Sequence, residues 1–166
     1  ARWNVLAQQV MVARIRGSDA EGQETWSMDK WDGYPLERSA MINRMADAET
    51  PNPVVLTGDI HANWVTDVQQ DFDDPSSETV ATEFVCTSLS SGRDGQDMTA
   101  GGERLLGRNP HLKFYNGQRG YVTANVTPNL WTSEFKVVPV VTEVGSSLET
   151  RARFVIEDGQ PGAEEA

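Results

Sequence analysis

The chain has 166 residues, 38% of them apolar and five of them tryptophan, enough for one domain with a real core and too apolar for a disordered chain. Its 25 acidic and 14 basic residues leave a net charge of −11, and so acidic a surface repels a phosphodiester backbone, which argues against nucleic-acid binding but leaves a cation-assisted phosphate substrate open. No apolar run approaches the roughly eighteen residues that a membrane-spanning helix needs.

The opening "ARWNVLAQQV" has neither an initiator Met nor a basic-then-apolar leader, so it reads as the inside of a longer protein. Trp3 to Ala13 fits strand through Val5, Val10 and Val12, and helix through "LAQQ". Arg16 to Gln23, rich in Gly and acidic groups, reads as loop. Pro35 to Ala48 reads as a helix, with Pro35 in its first turn and Leu36, Ile42 and Met45 on an apolar stripe. After a break at Pro51 and Pro53, "VVLTGDI" reads as a short strand covered on both faces. Helix, break, buried strand and polar loop point to an α/β layered fold. "DVQQDFDDPSSETVA" reads as an acidic loop, and Asp71, Asp73 and Asp74 lack the spacing of a calcium loop. "ATEFVCTSLSSG" is a further strand, and its Cys86, alone in the chain, reads as a small buried residue. "RDGQDMTAGGERLLGRNPH" is loop-rich with a helical turn near Leu105. "LKFYN", "GYVTANVT", "LWTSEFKVV" and "ETRARFVIE" alternate between turns and read as an antiparallel meander. The expected domain is 1–158, with 159–166 a frayed tail.

Chemistry concentrates in "TGDIHANW". In extended backbone Asp59 and His61 share a side, just past a buried strand, where α/β sheets hold ligands. A carboxylate with an imidazole suits iron, manganese or zinc, and Asn63 adds a carbonyl oxygen one step further on. A bare Asp-x-His also fits a plain turn with a surface histidine. The other histidine, His111, reads as structural. The "SLSSGRDG" turn offers backbone N–H groups, and Arg93 a guanidinium, to a phosphate; a plain polar loop fits as well.

"TGDIHANW" also resembles the late metal-binding motif of the PhoD-type alkaline phosphatases, a branch of the calcineurin-like metallophosphatases. "WNVLAQQVM", "DKWDGYPLER", "TEFVCTSLSSG" and "NPHLKFYNGQRGYVTANVTP" resemble further segments of that family, in the same order. The resemblance covers the C-terminal part of such an enzyme, over residues 1 to about 140. It implies the C-terminal half of a layered α/β/β/α sandwich ending in antiparallel strands, with a two-metal site of iron and calcium activating a water. By the same resemblance Asp59 and His61 are catalytic metal ligands, and Asn63 and Trp64 match the neighbouring positions. In "DKWDGYPLER", Trp31, Asp32, Tyr34 and Arg38 read as packing and ion-pair residues entering a helix, or as supports and walls of the site. The family's remaining ligands lie upstream. The implied partners are therefore the N-terminal half, in the same chain or as a cleaved companion, and a phosphate-ester substrate. The implied reaction is hydrolysis of phosphate monoesters and diesters. Phospholipid diesters are the alternative substrate, a non-catalytic binding remnant the alternative role, and a secreted or periplasmic location the family's habit.

Overall fold

The computed structural model describes residues 1–166. Of the ambiguous opening segment only Asn4–Ala7 is a strand, β1. The following residues are irregular, yet Met11, Val12 and Ala13 are buried. Buried N–H groups outside a ladder need acceptors from elsewhere. The carboxylate of the fully buried Glu83 provides them: Val12 N donates to Oε1 and Ala13 N to Oε2, each at 2.8 Å. Thr57 Oγ1 donates to Oε1, also at 2.8 Å. Burial pushes the Glu83 carboxyl up, and these donors with the Arg38 charge oppose the shift.

The stretch expected as loop at 16–23 contributes half of a small hairpin, β2 (Gly17–Ser18) with β3 (Glu24–Thr25). Helix α1 runs Pro35–Asp47, with Pro35 in the first turn, where its missing N–H costs nothing. The inward stripe is Arg38, Met41, Ile42 and Met45, the spacing of one helix face. Leu36, expected on that stripe, is 80% exposed. Arg38 takes the inward place because its charge is met by Asp32 and its plane lies over the Phe72 ring.

The apolar run becomes β4 (Pro53–Thr57), parallel to β1 on one side. The acidic stretch expected as loop in fact opens and closes with strand: β5 is Asn63–Gln69 and β6 is Thr79–Val85. Helix α2 spans Ala100–Arg108, longer than the single turn expected, and Thr99 caps it by accepting from Gly102 N. β7 (Leu112–Asn116) completes a five-stranded sheet of order β1-β4-β6-β5-β7. β7 is therefore not the first strand of the expected meander. Gly117 turns a corner there and not a hairpin, its N–H donating to Gln96 O at 3.0 Å.

The meander proper is β8 (Arg119–Val126), β9 (Leu130–Val138) and β10 (Glu149–Glu157). A two-residue strand, β11 (Glu164–Glu165), pairs with β10 and closes a four-stranded sheet. The tail expected to fray thus lies along β10, with Ala163 buried and its carbonyl accepting from Lys113 Nζ at 2.8 Å.

Strand alternation builds two cores. Val54, Val65, Phe84 and Phe114 face Trp131, Phe135, Phe154 and Ile156 across the two sheets. On the opposite face Val55, Val68 and Ala81 pack on Ile42 of α1, and Trp64, Val85 and Tyr115 pack near Leu105 and Leu106 of α2. The layers are therefore helices, mixed sheet and antiparallel sheet, a mixed α/β arrangement that is mostly strand. No helix is long and apolar enough to cross a membrane.

His111 is a core histidine. It is buried, its Nε2 meets Arg14 O at 2.7 Å, and its ring edge packs on Phe72. Burial holds its pKa below the ordinary value, with the nearby arginines adding to the effect and the Arg14 carbonyl opposing it. A depressed folded-state pKa contributes stability above the unfolded value, and that stability fades as pH falls. The melting temperature of the intact protein should therefore drop as pH falls through about 6.5, and His111→Gln should flatten that slope.

Candidate functional site

β4 runs parallel to β6 and β5 antiparallel to it, and Thr57 and Trp64 both lie level with Val85. Residues 58–62 therefore leave the C-terminal end of β4, pass over the end of β6 and enter β5 on its far side. That crossing spans two strand spacings, roughly 10 Å. Gly58 lies beside β6's continuation, where a Cβ would make ordinary contact with Cys86 O at 3.6 Å. The short bridge takes unusual backbone. Asp59 has φ 73° and His61 φ 51°, both in the left-handed region that non-glycine residues avoid. The expectation of extended backbone at this pair is thus corrected. The alternation survives in another form: Ile60 and Ala62 turn into the α2-side core, while Asp59 and His61 are exposed. Strain of about 1–3 kcal/mol per residue is kept where the surroundings impose it, and such places gather at functional sites.

Neither the Asp59 carboxylate nor the His61 ring is drawn into a hydrogen bond or ion pair; the contact recorded for His61 is through its backbone carbonyl. An exposed carboxylate and imidazole on one loop suit a divalent or trivalent cation. No third His, Cys, Asp or Glu joins them into a metal-holding group. The donor set fits one side of a metal site and leaves the rest of the coordination shell to other residues.

Asn63 has no exposed surface. Its Oδ1 accepts from Thr87 N and its Nδ2 donates to Asn116 Oδ1, each at 3.0 Å. Asn116 passes the chain of bonds to Asp97, which Arg151 pairs with in turn. Asn63 thereby fastens the end of the loop to β7 and to the antiparallel sheet. Arg119 grips the loop from the other side, donating to His61 O, to Thr87 Oγ1 at 3.2 Å and to Arg93 O at 2.8 Å. The sequence reading missed Arg119 and Asn116. Their one signal was the polar corner "NGQRG", which reads as an ordinary hairpin turn.

The Ser/Gly turn does reach His61. A Cβ on Gly92 would stand 3.5 Å from His61 Nδ1 and 3.3 Å from Arg119 Nη2, and Gly92 has φ 87°. Arg93 is exposed, with φ 61°. Asp94 pins the turn by accepting from Val141 N at 2.7 Å and Thr142 N at 3.0 Å. Cys86 is half-buried, and burial pushes its thiol up, away from thiolate chemistry.

"WDGY" forms a short 3₁₀ turn at Trp31–Gly33 leading into α1. Gly33 is required there, because a Cβ would meet Met28 O at 2.5 Å. Asp32 and Arg38 form a buried ion pair, and Asp32 also accepts from Ile15 N at 3.2 Å. Trp31 packs into the α1-side core and Tyr34 is exposed. The next residue back, Lys30, makes no ion pair. Its half-burial lowers the ammonium pKa, and the charges of Asp59 and Asp32 oppose the shift. Lys30, Asp32, Ile60 and Trp64 share a cleft of about 550 Å³. Trp64 is 3% exposed, sits edge-on to Tyr115 at 4.6 Å, and leaves its Nε1 without a partner.

Comparison with known proteins covers most of the chain. The family model for PhoD-like phosphatases matches residues 1–135. Alkaline phosphatase D of Bacillus subtilis (strain 168) is 45% identical over 163 residues, which is 98% of this chain and 28% of that protein. The solved "Structure of PhoD" superposes with a TM-score of 0.93 at 44% identity, covering 100% of this chain and 32% of that one. The chain thus spans about a third or less of the length of these relatives. A family match over more than half its residues, together with this identity and superposition, places it: the chain belongs to the PhoD-like phosphatase family.

Proposed function

We propose that this chain is the C-terminal part of a phosphoric ester hydrolase and provides two of its metal ligands, Asp59 and His61. The observation that carries the reading is the pair's setting. A carboxylate and an imidazole stand exposed and unpartnered on left-handed backbone over the C-terminal ends of two parallel strands. Iron and calcium are the metals proposed, in keeping with the family. Metals held there polarise the phosphoryl oxygens and supply a nucleophilic water.

The chain's own residues perform the positioning. Asp59 and His61 hold their donors beyond the strand ends of the sheet. Asn63 and Arg119 keep the loop from relaxing. Lys30 brings an unpaired ammonium into the cleft lined by Asp32, Ile60 and Trp64, within electrostatic reach of Asp59, where it attracts an anionic substrate. Asp32 and Arg38 brace the start of α1, and Trp31 and Tyr34 have no assigned role in binding. The exposed Arg93 is within the turn that abuts His61 and adds positive charge at that rim.

One carboxylate and one imidazole cannot fill two coordination shells. The proposed partner is accordingly the N-terminal part of the same protein, which carries the other ligands. The substrates are phosphate monoesters and diesters, and the location is outside the cytoplasm. The test compares intact protein with this segment alone. Intact protein should contain near-stoichiometric iron and calcium and hydrolyse an aryl phosphate; the segment alone should do neither. Intact protein that is free of metal and inert toward aryl phosphates and phosphatidylcholine would remove the reading. Faster turnover of phosphatidylcholine than of aryl phosphate would shift it to a phospholipid diesterase.

A further inference from the structure

Arg119 is 8% exposed, yet no carboxylate pairs with it. Its guanidinium is spent on three neutral acceptors from two separate loops: the His61 carbonyl in one, and the Thr87 hydroxyl and the Arg93 carbonyl in the other. A buried charge without a counterion is costly, so its retention asks for a reason other than stability. The acceptors supply one. His61 and Arg93 are both non-glycine residues with positive φ, and Arg119 holds the carbonyl of each. A planar fork with donors on two edges fixes two carbonyls in a set relative geometry, which an ammonium's rotatable donors do less rigidly.

Arg119 is itself held. It is the first residue of β8, and Gly120 N donates to Ser88 O at 3.1 Å. Gly120 has no room for a side chain, since a Cβ would fall 1.8 Å from Lys136 O. The guanidinium is therefore anchored in the antiparallel sheet and reaches into the loop of the mixed sheet.

We propose that Arg119 is a positioning residue for metal binding: it locks the left-handed turn at His61 and thereby sets the affinity of the Asp59–His61 loop for its cation. The inference rests on the metal-ligand reading above. Outer partners that orient ligands contribute roughly 10–100-fold in metal affinity. In the intact protein, Arg119→Lys and Arg119→Met should keep the melting temperature of the metal-free form close to that of the parent. Both should weaken metal binding by roughly 10–100-fold in chelator competition, with Lys the milder. Turnover lost at low metal should return at saturating metal, with KM unchanged.

Asp59→Asn, measured beside them, separates the two ideas. If Asp59→Asn leaves metal affinity unchanged, the site reading fails and the Arg119 role with it. If Asp59→Asn weakens metal binding and Arg119→Met does not, the Arg119 role alone is overturned. Loss of the fold in both Arg119 variants would equally overturn it, since the residue would then act on the whole structure and not on the loop.

Discussion

Asp59→Asn in the intact protein is expected to lower phosphate-ester hydrolysis by on the order of a thousandfold and to release a metal, while leaving the fold in place. A metal's stabilisation of developing charge is worth several kcal/mol, and about 4 kcal/mol corresponds to three powers of ten in rate. The amide keeps the size of the carboxylate but carries no charge and only one good ligand oxygen. The fold should be indifferent, because the exposed Asp59 side chain supports nothing else in the chain. Stability should respond the other way from activity: relief of bare negative charge on a protein of net charge −11 favours the compact state. Turnover and metal content, measured on the same preparation beside a melting curve, decide the matter. Full turnover with full metal would remove Asp59 from the site.

Glu83→Ala is expected to have the opposite signature, a large loss of stability from a residue remote from solvent. The substitution strands Val12 N, Ala13 N and Thr57 Oγ1 in a buried place. Each orphaned donor costs about 1–3 kcal/mol, so the sum is on the order of 4 kcal/mol. Glu83→Gln should cost less, about 2 kcal/mol, since its single carbonyl oxygen can still accept while its NH₂ opposes a backbone donor. The urea midpoint of the intact protein, at unchanged slope, measures both. A midpoint within error of the parent for Glu83→Ala would show that Val12 and Ala13 find other acceptors. Thr57 is the last residue before Gly58, so this variant should also loosen the bridge that carries Asp59.

Elements governed by local chemistry were legible in the sequence. Pro35 marked the start of α1 to the residue, and the unbroken "VVLT" marked a strand covered on both faces. The partial alternation in β9 was also legible through Trp131, Phe135 and Val137, although the inward Ser133 was not. What escaped depends on pairing between distant residues. β5 was hidden because Asn63, Thr66 and Gln69, polar by type, are buried in it. Asn63 is tolerated there only because Thr87 and Asn116 satisfy it, a match that no local window contains. Leu36 was favoured over Arg38 as a core residue for the same reason: the rule that charges stay outside fails when a buried Asp32 waits for one. The site was half legible. "GDIH" placed the exposed carboxylate and imidazole at the end of a strand, but the left-handed backbone that presents them and the Arg119 grip behind it depend on strand order, which the linear pattern does not encode.

The bridge over β6 also sets an order of assembly. Had β4 and β5 been neighbours, residues 58–62 would close a hairpin that could form early from local contacts. Instead β6, which follows both in the chain, must insert into the gap between them. Such non-local pairing is slow to form and is a late event in folding. The backbone that presents Asp59 and His61 is therefore set only once β6 lies between β4 and β5. A nascent or partly folded chain lacks that loop geometry, so on the metal-ligand reading proposed above, capture of a cation would report that β6 is in place.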